Sequence, residues 1–222
     1  MAHYFSPKTR LAFAWFCVSV HVFALLAVLL VLRNGIPPGD LATRAAFVAA
    51  NATAWRIGWA LWLPASLALV LFFAGWADAM PYRGWGMIAV ALTLAGATID
   101  WADEMFWIGL APGLAARFTA DVFAAGAYAL WDRAYVVISM GLANGLYTLG
   151  GIILTALAFK TRGFPRRLAW FSAIVWALSL DLSIAALIGD GVIIQVVSTL
   201  VFIAFLPWVV LMGYGWLMQD AR

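Results

Sequence analysis

Residues 11–32 read LAFAWFCVSVHVFALLAVLLVL, an apolar run that no Asp, Glu, Lys or Arg interrupts. The run exceeds the roughly 20 residues that an α-helix needs to cross a bilayer. The segment that follows it, Arg33-Asn34-Gly35-Ile36-Pro37, lacks the small-x-small pattern of a signal-peptidase site. The sequence therefore predicts a retained membrane anchor rather than a cleaved signal peptide.

Five more apolar runs reach spanning length, and Pro, Gly or charged residues separate them. The composition agrees, because 66% of the 222 residues are hydrophobic, 10% are charged and the mean hydropathy is +0.99. We predict an all-α integral membrane six-helix bundle that forms one transmembrane domain over residues 1–222. Its helices are expected at about 11–33, 54–77, 85–108, 134–159, 168–188 and 192–218.

The positive charges predict the orientation of these helices. Short cytoplasmic segments carry an excess of Lys and Arg, and four such residues crowd the turn at 160–167, KTRGFPRR. The bundle is therefore predicted to be N-in/C-in. The predicted inner side then holds Lys8, Arg10, Arg83, Lys160, Arg162, Arg166, Arg167 and Arg222, and the outer side holds Arg33, Arg44, Arg56, Arg117 and Arg133.

Two outer connections are longer than a plain turn. Asp40 can cap a short helix over residues 41–48, and residues 111–131 alternate charged with apolar side chains. We predict two amphipathic outer connectors that lie on the membrane surface. They are either a lid over a site or surface connections with no role of their own.

Several function classes are excluded by the residue counts. Thirteen Lys and Arg against ten Asp and Glu give a net charge of +3, too few and too scattered for binding nucleic acid. One cysteine, Cys17, and two histidines, His3 and His21, cannot build an internal disulfide, a thiolate metal cage or a histidine-rich metal site. We expect no metal and no resident cofactor, so any chemistry would use carboxylates, hydroxyls, amides, arginine or a cofactor brought from outside.

The third predicted helix carries two carboxylates on one face. Asp100, Glu104 and Trp107 follow the spacing i, i+4, i+7. Charged groups in a membrane normally turn inward, and two carboxylates one turn apart repel when both are ionised. We therefore expect a proton donor beside a carboxylate, with internal ion pairs to Arg56 or Arg133 as the structural alternative.

Other polar and aromatic residues are predicted at the same outer level. Arg133, Asn144 and Tyr147 would share a face, since 11 residues make about three helical turns, and Asp103 and Asp132 would be hydrated boundary residues. Mid-membrane His21 is predicted to bond a neighbouring helix. The catalytic candidates are Asp100, Glu104 and Asp181, and the substrate-binding candidates are Arg56, Arg133, Trp101, Trp107, Asn144, Tyr147 and Gln195. Aromatic walls are expected from Trp59, Trp62, Trp101 and Trp176.

Glycines on the fourth predicted helix allow close helix packing. Gly141, Gly145, Gly150 and Gly151 leave little side chain on one face. The face is predicted to contact a neighbouring helix of the same chain, with a homodimer as the alternative.

Three segments resemble a known family. Pro38-Gly39-Asp40-Leu41-Ala42-Thr43, Trp55-Arg56-Ile57-Gly58 and residues 157–169, LAFKTRGFPRRLA, resemble a bacterial family of small multi-helix membrane proteins described only as a domain of unknown function. This resemblance implies a bundle of six to seven helices in a bacterial inner membrane, with Arg56 at a position typical of the family. In size and intramembrane acids the chain is also similar to small membrane-bound terpene cyclases, which protonate an alkene or epoxide with Asp or Glu.

The sequence leaves three functions open. The first is a metal-free acid–base enzyme, an isomerase or cyclase, on a lipid-soluble substrate such as an isoprenoid or sterol-like molecule. Glu104 or Asp100 would donate the proton, Asp181 would accept one, and Arg56 or Arg133 would orient a polar head. The second is a binding or transport protein for an amphiphilic or cationic small molecule, and the third is a non-catalytic subunit of a larger membrane complex. The expected partners are membrane lipid and a hydrophobic or amphiphilic small molecule.

Overall fold

A computed structural model of the protein describes residues 3–218, which form helices and no strand. Arg222, included in the charge count above, lies outside the described residues. We number the helices α1 Pro7–Leu32, α2 Leu41–Ala50, α3 Ala52–Asp78, α4 Arg83–Ala116, α5 Val122–Lys160, α6 Arg166–Ile188 and α7 Gly191–Leu217. α3 contains a turn at Leu61 and Trp62, and α4 contains one at Leu110.

Six of these helices, all except α2, are long and apolar enough to cross a membrane. This confirms the prediction of an all-helical chain with six candidate spans. Their ends follow from local sequence, since Ser6 accepts a hydrogen bond from the Thr9 amide at the start of α1. Gly189 ends α6 with a φ of +84°, a conformation that favours glycine. Asp190 then caps α7 by accepting from the amides of Val192 and Ile193.

The six long helices form a closed ring. Each contacts the next along the chain, and α7 contacts α1. At one end, the Tyr82 hydroxyl donates to the Lys160 carbonyl at 3.4 Å and Thr161 donates to the sulfur of Met80 at 3.4 Å. We call the half of the bundle with Asp78 and Lys160 the closed half, and the half with Asp132 the cavity half.

Aromatic side chains fill the middle of the ring in the closed half. Phe72 and Phe73 of α3 place their ring centroids 5.4 Å from Trp208 of α7 and from Trp176 of α6, respectively. The Trp208 indole Nε1 donates to the Ser172 hydroxyl at 2.8 Å, which satisfies its buried N–H. These rings fill the centre of this half, and the cavity described below lies nearer the other end.

The glycine face of α5 packs within the same chain. A Cβ at Gly151 would lie 2.2 Å from the Trp176 ring, and one at Gly150 would lie 2.8 Å from the Ala89 carbonyl oxygen. Gly141 lies against Leu187. Helices α4 and α6 thus cover the surface on which the homodimer alternative was based.

The first predicted connector is the helix α2. Asp40 caps it by accepting from the amide and hydroxyl of Thr43 at 2.8 and 2.9 Å, and these bonds hold the pKa of Asp40 below its usual range. Both guanidinium NH groups of Arg44 bond the carboxylate of Asp132 on α5, which ties α2 to the ring. Asp132 is therefore an ion-pair partner and not the hydrated boundary residue that we predicted.

The second predicted connector does not form a separate surface helix. Residues 111–116 extend α4, and Asp121 accepts from the amides of Phe123 and Ala124. Because Asp121 caps a helix here, the chain from Val122 onward runs without a break through Trp131 into the fourth candidate span.

Candidate functional site

A cavity lies inside the ring in the cavity half, and all six long helices line it. The centre of a water molecule can occupy about 190 Å³ of it, whereas one water needs about 10–15 Å³ on that measure. The cavity therefore has room for an organic ligand. Its larger lining side chains are mostly aromatic, namely Trp59, Trp62, Tyr135, Tyr147, Trp176, Phe202 and Phe205.

Asp100 of α4 lies on the cavity wall and accepts two hydrogen bonds from α5. The Ser139 hydroxyl donates to Oδ1 at 2.6 Å, and the Tyr147 hydroxyl donates to Oδ2 at 2.7 Å. Short bonds from two hydroxyl donors are typical of an ionised carboxylate acceptor. The geometry thus fixes the orientation of Asp100.

Glu104 lines the cavity one helical turn from Asp100 and is 5% exposed. Its Oε2 has no hydrogen-bond partner among residues 3–218. Of the cavity-lining residues in that range, none is Lys or Arg. A buried carboxyl group without a cation or a donor is costly, so such groups are commonly functional in membrane helices.

His21 of α1 also lies in the cavity wall, beside the two carboxyl groups and the two tyrosines. Its Nδ1 lies 2.7 Å from the Cys17 carbonyl oxygen, which can only accept, so Nδ1 carries the hydrogen and the neutral ring keeps its lone pair on Nε2. The prediction that His21 would bond a neighbouring helix is wrong, because the bond stays within α1. Sequence analysis missed His21 as a site residue, although it is the one histidine within a predicted span.

A π-helical segment at Val136–Ala143 decides which side chains of α5 reach the cavity. Its wider turns shift the phase of the helix, so the 11-residue spacing does not place Arg133 with Asn144 and Tyr147. Asn144 and Tyr147 line the cavity, whereas Arg133 is exposed. Ser139 lies within this segment, and a pattern of 3.6 residues per turn gives no signal for it.

Asn144 joins α5 to α6 at the edge of the cavity. Its Nδ2 donates to the Ser179 carbonyl at 2.8 Å and to the Ser183 hydroxyl at 2.9 Å. Its Oδ1 accepts from the Ser179 hydroxyl at 3.1 Å. With its amide engaged in this way, Asn144 holds the cavity wall in place.

Six predicted site residues lie outside the cavity lining, and Trp107 is one of them. Arg56 is exposed, and its Nε donates to the Ile108 carbonyl at 3.1 Å. The Trp101 indole donates to the Leu63 carbonyl at 2.9 Å, so it ties α4 to α3. The other three are exposed side chains, namely Arg133, Asp181 and Gln195.

The alternative in which Asp100 or Glu104 pairs with Arg56 or Arg133 is not found among residues 3–218. The ion pairs seen in that range include His3–Asp78, Arg44–Asp132 and Arg117–Asp121. In the same part of the chain, no group of three or more His, Cys, Asp or Glu is placed to hold a metal ion.

Trp107 and Asp103 are buried behind the cavity. Trp107 stacks on Trp59 with ring centroids 5.8 Å apart, inside an aromatic cluster. Asp103 is 1% exposed, and both of its carboxyl oxygens lack a hydrogen bond among the described residues. The prediction of a hydrated Asp103 is wrong because α4 continues to Ala116, with α2 packed on that extension, and Asp103 is therefore far from the helix end.

Comparisons with protein-family models, curated proteins and solved structures give no match to the chain. The family resemblance described above therefore stays a prediction, and the geometry of the cavity carries the functional argument.

Proposed function

We propose that the protein is a membrane enzyme that moves a proton within a lipid-soluble substrate, by acid–base catalysis of the isomerase or cyclase type. The observation that carries this proposal is the pair of carboxyl groups on the cavity wall. Asp100 is held by two hydroxyl donors, and Glu104, one turn away, has an oxygen without a partner. Two carboxyl groups in different environments are suited to different protonation states.

Glu104 is the proposed acid. Its O–H proton is added to one carbon of a substrate double bond, and the neighbouring carbon becomes a cation. A base then takes a proton from the next carbon, and that C–H electron pair forms the new double bond. The substrate is isomerised with no change in its atoms.

His21 is the proposed base, since its Nε2 lone pair is left free by the bond from Nδ1 to Cys17. Asp181, the base suggested by the sequence, is exposed and outside the cavity lining, so the proposal does not use it. The proton gained by His21 returns to Glu104 directly or through water, which restores the starting state. A cyclase would use the same first step and close a ring before the proton is lost.

The cavity lining supports a lipid-soluble substrate. Half-buried side chains of Val28, Trp62, Ser198 and Phe202 line it on the side of α1, α3 and α7. Half-buried positions on candidate spans adjoin the lipid-facing surface, so a hydrophobic molecule could pass between membrane and cavity there.

A second candidate function is binding or transport of an amphiphilic or cationic molecule without turnover. It is favoured by the two acidic groups in a cavity whose described lining has no Lys or Arg. The third candidate, a non-catalytic subunit, predicts that the cavity holds no specific small molecule.

The orientation and compartment are also part of this proposal. The turn after α5, with Lys160, Arg162, Arg166 and Arg167, lies at the closed half, which the positive-inside rule places in the cytoplasm. The protein would then be N-in/C-in in a cell inner membrane, with the cavity half and α2 on the outer side.

Deuterium transfer tests the proposed function. Purified protein in nanodiscs is incubated in D₂O with lipid extract from its host membrane, and mass spectrometry measures deuterium in C–H positions of lipids. We expect one lipid class to gain deuterium, and we expect Glu104→Gln and Asp100→Asn to abolish the gain. Asp181→Asn is the matched control and should leave it unchanged, because Asp181 is exposed.

The other outcomes separate the candidates. A specific co-purifying molecule that never gains deuterium would favour a binding or transport protein over an enzyme. No ligand and no exchange, together with variants that unfold, would favour the structural subunit.

A further inference from the structure

We infer that the cavity binds hydrophobic cations, and specifically a protonated tertiary amine with apolar substituents. The inference rests on the proposed function and deepens it, since such an amine would carry its charge where the substrate carbon becomes positive. Molecules that reproduce a transition-state charge bind more tightly than the neutral substrate.

The charge of the cavity wall is the first argument. Asp100 and Glu104 line the cavity, and its lining among residues 3–218 has no Lys or Arg. The arginines within three residues of the lining are directed elsewhere, since Arg56 bonds the Ile108 carbonyl and Arg33 and Arg133 are exposed. His21 donates from Nδ1 to a carbonyl, an arrangement that a neutral ring satisfies. A positive ligand would therefore meet no resident cation.

The unmet hydrogen-bonding capacity of Glu104 is the second argument. Asp100 already receives two donors from Ser139 and Tyr147, but Glu104, although 5% exposed, has an oxygen that receives none. A protonated tertiary amine has one N–H, so it can donate to one carboxylate oxygen. The ligand would thus supply both the charge and the donor that the protein does not provide.

The aromatic lining is the third argument. Trp59, Trp62, Tyr135 and Trp176 line the same cavity, and the rings of Trp59 and Tyr135 are 5.4 Å apart. Aromatic faces attract a cation and also cover its apolar substituents. A neutral molecule of the same shape would keep the apolar contacts and lose the attraction to both rings and carboxylates.

The test compares an amine with its neutral counterpart. Tritiated N,N-dimethylgeranylamine and the hydrocarbon in which a CH group replaces the nitrogen are titrated into wild-type protein in nanodiscs at neutral pH. Empty nanodiscs of the same lipid correct for membrane partitioning. We expect the amine to bind at least about tenfold more tightly than the hydrocarbon. Equal affinities would overturn the inference, and this comparison needs no variant to fold.

Variants locate the binding. Glu104→Gln and Asp100→Asn should each weaken amine binding and leave hydrocarbon binding unchanged, whereas Asp181→Asn should alter neither. Loss of both ligands would mean a collapsed cavity, and Glu104→Asp, which keeps the carboxyl group, should then restore the preference for the amine. If it does not, the inference is wrong.

The two proposals fail separately. Amine binding without deuterium transfer would contradict the proposed enzyme and support the cation site. Deuterium transfer with no preference for the amine would support the enzyme and contradict the cation site.

Discussion

Tyr147 reaches Asp100 because residue 96 on the facing helix is glycine. A Cβ at Gly96 would lie 2.7 Å from Cε1 of Tyr147 and 2.9 Å from the Ala143 carbonyl oxygen. Gly96→Ala would therefore force α4 and α5 apart and move the Tyr147 hydroxyl away from Asp100. We expect a loss of about 1–3 kcal/mol in the free energy of unfolding, measured by thermal unfolding in detergent.

Gly109→Ala is the control for this change, since no heavy atom lies within 4 Å of a Cβ at that position of the same helix. It should leave stability unchanged or raise it by about 0.5–1 kcal/mol. Equal melting temperatures for the two variants would show that the approach of Tyr147 is not tight.

The two hydroxyl donors give a second prediction at the scale of single residues. Tyr147→Phe removes the O–H that bonds Asp100 Oδ2 and leaves the ring in place. Because a hydrogen bond to a charged group contributes about 1.5–3 kcal/mol, the rate of deuterium transfer should fall at least about tenfold. Tyr214→Phe removes a hydroxyl that accepts from the Trp15 indole at an exposed position outside the cavity lining, so it should keep the wild-type rate. A wild-type rate for Tyr147→Phe would exclude a role for this bond.

Sequence spacing predicted a shared face correctly where the residues lie within regular α-helix. The spacing of Asp100 and Glu104 predicted one shared face, and both line the cavity. Tyr135, Ser139 and His21 were not predicted as site residues. Tyrosine and serine are common in membrane spans, so neither residue type signals a site by itself. The bond from His21 goes to a backbone carbonyl, and the sequence does not show which carbonyl a side chain will reach.

A buried ion pair ties the short helix α2 to α5. The side chains of Arg44 and Asp132 are 8% and 13% exposed, so removing one partner leaves a charge with little water around it. We expect Arg44→Gln to cost about 3 kcal/mol or more and to speed amide hydrogen exchange in residues 41–50.

Arg117→Gln is the matched change, because the Arg117–Asp121 pair is exposed. It should cost less than about 1 kcal/mol and leave α2 protected. Similar exchange rates in α2 for both variants would contradict the assignment of the Arg44–Asp132 pair as its anchor.

Capping residues explain which element boundaries could be predicted. Asp40 follows Pro37-Pro38-Gly39, so it predicted the start of α2. Asp121 was assigned to a surface face because charged and apolar residues alternate around it, but it starts α5. An aspartate can cap a helix or lie on a surface face, and the helix that follows it decides which of these roles it takes.

The orientation of the whole molecule can be tested with single cysteines. In a Cys17→Ser background, Gly84→Cys places a thiol at an exposed position of the closed half, and Ala120→Cys places one before α5 in the cavity half. We expect a membrane-impermeant maleimide to label Ala120→Cys in intact cells, and Gly84→Cys only after lysis. The reverse pattern would invert the proposed topology.

Composition and run length are sufficient to predict six spans at this scale, because the bilayer imposes helix length. The closure of the ring could not be predicted. It depends on contacts between α1 and α7, such as Trp15 with Tyr214 and His21 with Phe205. These residues are far apart in the chain, and periodicity within one helix does not report which helix lies opposite.

The π-helical segment Val136–Ala143 also bears on how related chains would diverge. Deleting one residue there would restore regular α-helix, and one residue fewer at the tighter α-helical pitch turns the chain about as far as the π-helical segment does. Tyr147 and Asn144 would therefore still face the cavity, and the loss would fall on contacts made inside the segment, such as the bond from Ser139 to Asp100. In an alignment, a single gap at this place would therefore mark descendants that keep the spans and the rest of the cavity wall but hold Asp100 differently.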